Sequence, residues 1–190
     1  MIKYTEDISK WEDWQQDYRL GLILIMPPPE VSQPIDALRA RYDPRSFAYC
    51  PTHISVSDLL RLEMTDEMEQ EIRCILKGIK PFMLHYHKPQ ASTERAGIAY
   101  PIRPQEPIDD LKQSLHKAAV FDGKVYGRRH IPAHMTIAEF ISIEDSLSIC
   151  AQLQNSVPSG SFLCDRLEYI VPNEDFHFQR KNTFSLGEDE

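Results

Sequence analysis

Seven histidines lie at positions 53, 85, 87, 116, 130, 134 and 177, and only two are followed two residues later by a hydroxyl side chain. The first sits in Pro51-Thr52-His53-Ile54-Ser55-Val56 and the second in Pro132-Ala133-His134-Met135-Thr136-Ile137. Both read proline, small residue, histidine, apolar, hydroxyl, apolar. In a strand, side chains at i and i+2 share a face about 6.5–7 Å apart. His53 and Ser55 therefore face one way while Ile54 and Val56 enter a core, and His134 and Thr136 repeat the arrangement. If the two segments face each other, two imidazoles and two hydroxyls meet in one cleft. A neutral histidine can take a proton from an attacking water or hydroxyl, and a protonated one can give a proton to a departing oxygen. Both tasks suit a side chain whose ordinary pKa of about 6.5 lies near working pH. The hydroxyls can donate to the oxygens of a phosphate, where charge accumulates. Such a set calls for no metal and no cofactor. One His-x-Ser/Thr occurs often by chance; two matched copies in alternating apolar contexts point to phosphodiester chemistry.

The surrounding elements follow from periodicity. Ile8, Trp11, Trp14 and Tyr18 recur at helical spacing over residues 5 to 18, with Thr5 a possible cap. Gly21 to Met26 reads as a short buried strand stopped by three prolines, with a helix from Pro34 to Tyr42 after it. Strands are expected at 52–56, 81–87, 97–102, 134–140, 161–171 and 176–186. Helices are expected at 65–79, 108–120 and 142–155, with Pro107 opening the second and Ser142 capping the third. Residues 121 to 129 read as a glycine-containing basic loop. The order suggests one α+β unit of two similar halves: an N-terminal helical extension at 1–19, then a single domain over 20–187.

Composition bounds the partners. The 190 residues carry a net charge of −8. A protein that grips a long duplex normally presents a basic face, so a short phosphorylated end fits better than long nucleic acid. Apolar runs fall short of the ~20 residues that span a bilayer, and the polar, acidic N-terminus does not resemble a signal peptide. Cys50, Cys74, Cys150 and Cys164 contain no C-x-x-C pair and read as reduced thiols. These features together suggest a cytoplasmic protein without membrane contact.

The paired motifs resemble those of the two-histidine phosphoesterase superfamily, which includes 2′-5′ RNA ligase-like proteins and cyclic nucleotide phosphodiesterases. The apolar strand Gly21 to Met26, the helix ending in Arg41-Tyr42-Asp43-Pro44 and the closing strands near 163–171 and 176–186 are similar in order. The resemblance covers about residues 20 to 187. It implies a bilobal α+β fold, with two pseudo-symmetric antiparallel sheet halves and outer helices around a central cleft. It also implies hydrolysis of 2′,3′-cyclic phosphate or 2′-5′ phosphodiester bonds of nucleotides or RNA ends. His53, Ser55, His134 and Thr136 are the matching positions. Many ligase-like members carry a basic residue three positions after the second hydroxyl; here that position is Glu139, which repels a phosphate unless it points away.

Further candidates are weaker. Arg128 and Arg129 could steer a phosphate with their planar forks, and Tyr126 and Phe140 could stack on a base. His85 and His87 could form half of a metal site, but no third ligand stands at a local spacing. The Trp11, Trp14 and Tyr18 stripe reads as core or contact surface rather than a base platform.

Overall fold

The computed structural model describes residues 2–124, 131–154 and 156–187. The N-terminal segment contains a short helix α1 (Asp13–Gln16) and a tighter 3-10 turn (Asp17–Leu20). Strand β1 (Leu22–Ile25) leads into helix α2 (Pro29–Tyr42), then α3 (Pro44–Tyr49) and β2 (Ile54–Ser55). Helix α4 (Asp66–Lys77) precedes β3 (Phe82–Tyr86), β4 (Gln90–Ala91) and β5 (Ile98–Arg103). Helix α5 (Glu106–Leu115), β6 (His134–Ala138) and α6 (Ile143–Leu153) follow. Strands β7 (Gly160–Cys164), β8 (Arg166–Pro172) and β9 (Phe178–Ser185) complete the described chain.

Two antiparallel sheets result. One has the order β2-β1-β8-β9. In the other, β5 pairs with β3, β4 and β6, and β3 pairs with β7. Each sheet therefore holds one His-x-hydroxyl motif, through β2 and β6. A single apolar core joins the sheets, drawing Ile23, Ile54, Leu84, Tyr100, Met135 and Leu167 from six strands. Strand β1 is buried at all four positions. Ile23 and Ile25 enter this main core, while Leu22 and Leu24 pack into a smaller cluster with Cys50 and Ile170. Both faces are covered, which explains an apolar run without alternation. Gly21 opens the strand at φ 77°, where a Cβ would collide with the carbonyl of Ile170; only glycine fits there.

Several local expectations change. The N-terminal helix is confined to Asp13–Gln16 rather than 5–18. Its neighbours are held instead by tertiary bonds: Tyr4 hydroxyl to Tyr169 hydroxyl at 3.1 Å, Thr5 Oγ1 to the Pro172 carbonyl at 2.8 Å, and Trp11 Nε1 to the Glu174 carbonyl at 3.0 Å. Helix α2 begins at Pro29 rather than Pro34, because proline is well suited to a first turn. Helix α5 stops at Leu115, short of Val120. The single strand expected at 161–171 is two strands that leave one sheet for the other at Asp165. Alternation reports a half-buried strand but not the neighbour that receives it.

Candidate active site

The two motifs meet. His53, Ser55, His134 and Thr136 all line one cavity of about 310 Å³, at the small end of the range typical of ligand sites. Both imidazoles are partly buried, and both are fixed in the same way. His53 Nδ1 lies 2.7 Å from the Pro51 carbonyl, and His134 Nδ1 lies 2.8 Å from the Pro132 carbonyl. A carbonyl only accepts, so each Nδ1 carries a hydrogen. In the neutral ring this leaves Nε2 as a proton acceptor; in the charged ring Nε2–H is a donor.

The residues just before the histidines are pinned as well. Thr52 donates its backbone N–H and its hydroxyl to Asp36 Oδ1 of α2, each at 2.7 Å. Ala133 donates its N–H to Gln105 Oε1 at 3.0 Å, and its carbonyl accepts from Ile102 N–H at 3.0 Å. Each motif is thus pinned by one side chain from outside it, Asp36 or Gln105, and Ile54, Val56, Met135 and Ile137 are buried behind the motifs.

Arg39, only 1% exposed, ties the lobes together. Its guanidinium donates to the Thr136 carbonyl at 2.6 Å, the Cys50 carbonyl at 2.9 Å, and the Ser46 carbonyl and hydroxyl at 3.2 and 3.0 Å. One side chain of α2 therefore contacts backbone at or beside both motifs. Burial first, and then the positive Arg39, push the His53 imidazole down to about 4. Desolvation and a neighbouring cation both disfavour its charged form, so His53 is neutral near pH 7. Arg39 was not among the sequence candidates. Its signal was available: it falls four residues after Ile35 on the buried side of α2.

Glu139 lines the cavity but does not stand uncompensated. Its Oε1 accepts from the Ser46 hydroxyl at 2.8 Å, the same hydroxyl that accepts from Arg39. Asp43 completes this corner. Its Oδ1 accepts from Ser46 N–H at 3.0 Å, and its Oδ2 accepts from the N–H groups of Glu139 and Phe140 at 2.7 and 2.9 Å.

The far wall is aromatic. Trp14, Tyr18, Tyr49, Phe140, Phe176 and Phe178 line the same cavity. Trp14 and Phe140 are each 40% exposed, with ring centroids 6.0 Å apart. Phe176 adopts φ 61°, an uncommon conformation for a bulky residue, and sits at the centre of edge contacts to Trp11, Trp14, Tyr18, Tyr49 and Phe178. The aromatic stripe thus divides: Trp11 is buried, whereas Trp14 and Tyr18 face the cavity rather than serving only as core. Phe140, a stacking candidate from the sequence, lines this cavity. Tyr126, Arg128 and Arg129 lie outside the described residues. His85 and His87 are exposed, and no group of three or more metal-ligating side chains is assembled among the described residues.

Two sheets, each presenting one His-x-hydroxyl motif to a shared cavity, define a two-histidine phosphoesterase architecture. The 2′-5′ RNA ligase superfamily model matches residues 27–175, and the chain belongs to that superfamily. A protein of Oceanobacillus iheyensis named "Putative phosphoesterase OB1230" is 26% identical over 174 residues, covering 88% of this chain and 98% of the relative. A Halalkalibacterium halodurans protein described in the same words, BH1439, is 22% identical over 175 residues, covering 88% of this chain and 98% of its own length. Among solved structures, E. coli LigT complexed with 3′-AMP is 16% identical with a TM-score of 0.55, covering 88% of this chain and 97% of that one. A structure described as a phosphoesterase reaches a TM-score of 0.56 at 16% identity, with the same coverages. These likenesses show the α+β two-sheet fold. No helix among the described residues is long and apolar enough to cross a membrane.

Proposed function

We propose that this protein is a metal-independent phosphodiesterase that hydrolyses 2′,3′-cyclic phosphate or 2′-5′ phosphodiester bonds of nucleotides or RNA ends. The supporting observation is the matched pair of imidazoles on one cavity, each with Nδ1 bound to a proline carbonyl and Nε2 left for chemistry. In this reading His53, held neutral, takes a proton from the attacking water through Nε2. The water oxygen bonds to phosphorus as the bond to one ribose oxygen breaks, and His134, protonated, gives its Nε2 proton to that oxygen. Ser55 and Thr136 donate to the non-bridging oxygens as charge builds there. Phe140 and Trp14 provide aromatic surface for the base. The E. coli LigT structures, described as complexes with 3′-AMP, ATP and NADP+, encourage a nucleotide substrate.

The test is a panel of 2′,3′-cyclic nucleotides and 2′-5′ dinucleotides, with the position of the product phosphate read by NMR and EDTA in parallel. His53→Ala and His134→Ala should each lower kcat by about 10²- to 10⁴-fold while the melting transition persists. Turnover that survives either substitution, or that disappears on chelation, overturns the mechanism. Calorimetric nucleotide binding with no product from any substrate favours a binding module instead.

A further inference from the structure

Glu139 stands where the cavity changes character. It shares that cavity with His134 and Thr136, and the next residue, Phe140, belongs to the aromatic wall. Both positions are fixed through the backbone, since the N–H groups of Glu139 and Phe140 donate to Asp43 Oδ2 at 2.7 and 2.9 Å. The Glu139 carboxylate is fixed a second time through Oε1, which accepts from the Ser46 hydroxyl at 2.8 Å. That bond leaves most of its accepting capacity open. An ionised carboxylate offers about four lone-pair sites, the residue is exposed, and it forms no ion pair among the described residues. A carboxylate repels a phosphate and accepts from N–H and O–H groups. The phosphate is therefore drawn to the His-x-hydroxyl end, and the part of a ligand that meets Glu139 is an uncharged donor.

The neighbouring surface indicates what carries the donor. Phe140 is held in place by Arg45, whose guanidinium lies 4.2 Å from its ring centroid and is itself bonded to Tyr49 and Glu12. Trp14 stands beside it and is equally exposed. Trp14 and Tyr18 both precede residue 27, where the match to the superfamily model begins. This wall is thus built partly by a segment outside the matched span. A planar ring stacked on it brings an edge toward the carboxylate that adjoins Phe140. The four nucleobases differ at that edge. Guanine carries two adjacent donors, N1–H and the N2 amino group, which match two carboxylate oxygens. Adenine and cytosine set one amino group beside a ring nitrogen that only accepts, and uracil sets one N–H between two carbonyls. A carboxylate faces lone pairs on each of those three, and a site built to accept from donors rejects a ligand that lacks them.

We propose that Glu139 is a specificity-determining residue that selects guanine, accepting from N1–H and the N2 amino group while the ring lies against Trp14 and Phe140. The proposal rests on the reading of the His53/His134 site given above and deepens it. The substrate class narrows to phosphodiesters with a guanine beside the reacting phosphate. Ser46 and Asp43 act as positioning residues for this carboxylate, the first through its hydroxyl and the second through the backbone of residues 139 and 140.

The experiment measures kcat/KM for the 2′,3′-cyclic phosphates of guanosine, inosine, adenosine and uridine, in wild type and in Glu139→Gln. Wild type should prefer guanosine over adenosine and uridine by about tenfold or more. Inosine, which keeps N1–H but lacks the N2 amino group, should fall between. Glutamine can still accept from Ser46 but sets an amide NH₂ group against the donor edge, so the guanosine preference should fall close to one. Calorimetric titration of both proteins with 3′-GMP, 3′-IMP and 3′-AMP provides a readout independent of turnover, and the same order of affinity is expected. The wild-type base series alone decides the matter if the variant does not fold. A wild-type preference near one, a preference for adenosine or uridine, or a guanosine preference that survives Glu139→Gln overturns the assignment. If no cyclic phosphate is turned over, the acid–base reading fails, while the calorimetric order still decides whether Glu139 reads guanine.

Discussion

Replacing Arg39 tests whether the bridge between the motifs is electrostatic as well as mechanical. Arg39→Met keeps an unbranched chain as far as the Nε position but removes the charge and four hydrogen bonds. The carbonyls of Thr136 and Cys50, which accept at 2.6 and 2.9 Å, lose their guanidinium partner, and the Ser46–Glu139 pair loses its cation. Breaking a buried charged network of this kind costs about 3–5 kcal/mol. For a chain of this length the melting temperature should fall by about 2–4 °C per kcal/mol, so by roughly 6–20 °C. Function should change in a second, separable way. Arg39 is the second cause, after burial, of the low His53 value of about 4. Without it the His53 pKa should rise, but stay below 6.5 because burial remains. The acid limb of kcat/KM against pH should therefore move upward. Arg39→Lys separates the effects: it keeps the positive charge and so the acid limb, but one ammonium cannot reproduce the forked set of bonds, so stability still drops. Urea or thermal denaturation gives the first quantity and the pH–rate profile gives the second. A stability loss under about 1 kcal/mol in Arg39→Met would refute the bridging argument. An acid limb that stays in place would refute the electrostatic one.

Other consequences are equally measurable. The His53 pKa lies near 4 in the folded protein against about 6.5 when unfolded, so the unfolded chain binds more protons between those values. Stability should fall as pH drops from about 6.5 to 4, by at most roughly 3 kcal/mol and about half of that after discounting for the ring's partial contact with solvent. Urea titrations of His53→Ala should show a flatter pH dependence, and an unchanged curve would refute this account. Asp43→Ala removes the acceptor for three backbone N–H groups at a side chain 2% exposed. It should cost about 3–4 kcal/mol in chemical denaturation, and a loss below about 1 kcal/mol would show that the groups find other partners. Trp14→Ala should raise KM for a cyclic nucleotide by about fivefold or more, with a smaller effect on kcat, if a base stacks on that ring; an unchanged KM removes Trp14 from the base-binding surface.

The motifs of the candidate site are local and so were legible in order along the chain. Pro-x-His-x-hydroxyl repeated in two alternating segments predicts four polar groups on strand faces, and Ile54, Val56, Met135 and Ile137 do enter the core behind them. Ser142 caps α6 and Thr65 caps α4 for the same reason: a cap depends on residues only a few positions apart. What depended on distant partners was not legible. The break at Asp165, which sends β7 and β8 to different sheets, leaves no mark on the period-two pattern, because alternation is the same whichever sheet receives the strand. Trp14 reads as core or contact surface until the chain brings Phe140 and Tyr49 beside it. Arg39 is one arginine on a helix until Cys50 and Thr136, 86 residues apart in sequence (136 − 50), present their carbonyls to it. Short-range periodicity sets which face each side chain takes, but only long-range packing decides which faces meet, because the free energy of that meeting belongs to both segments at once.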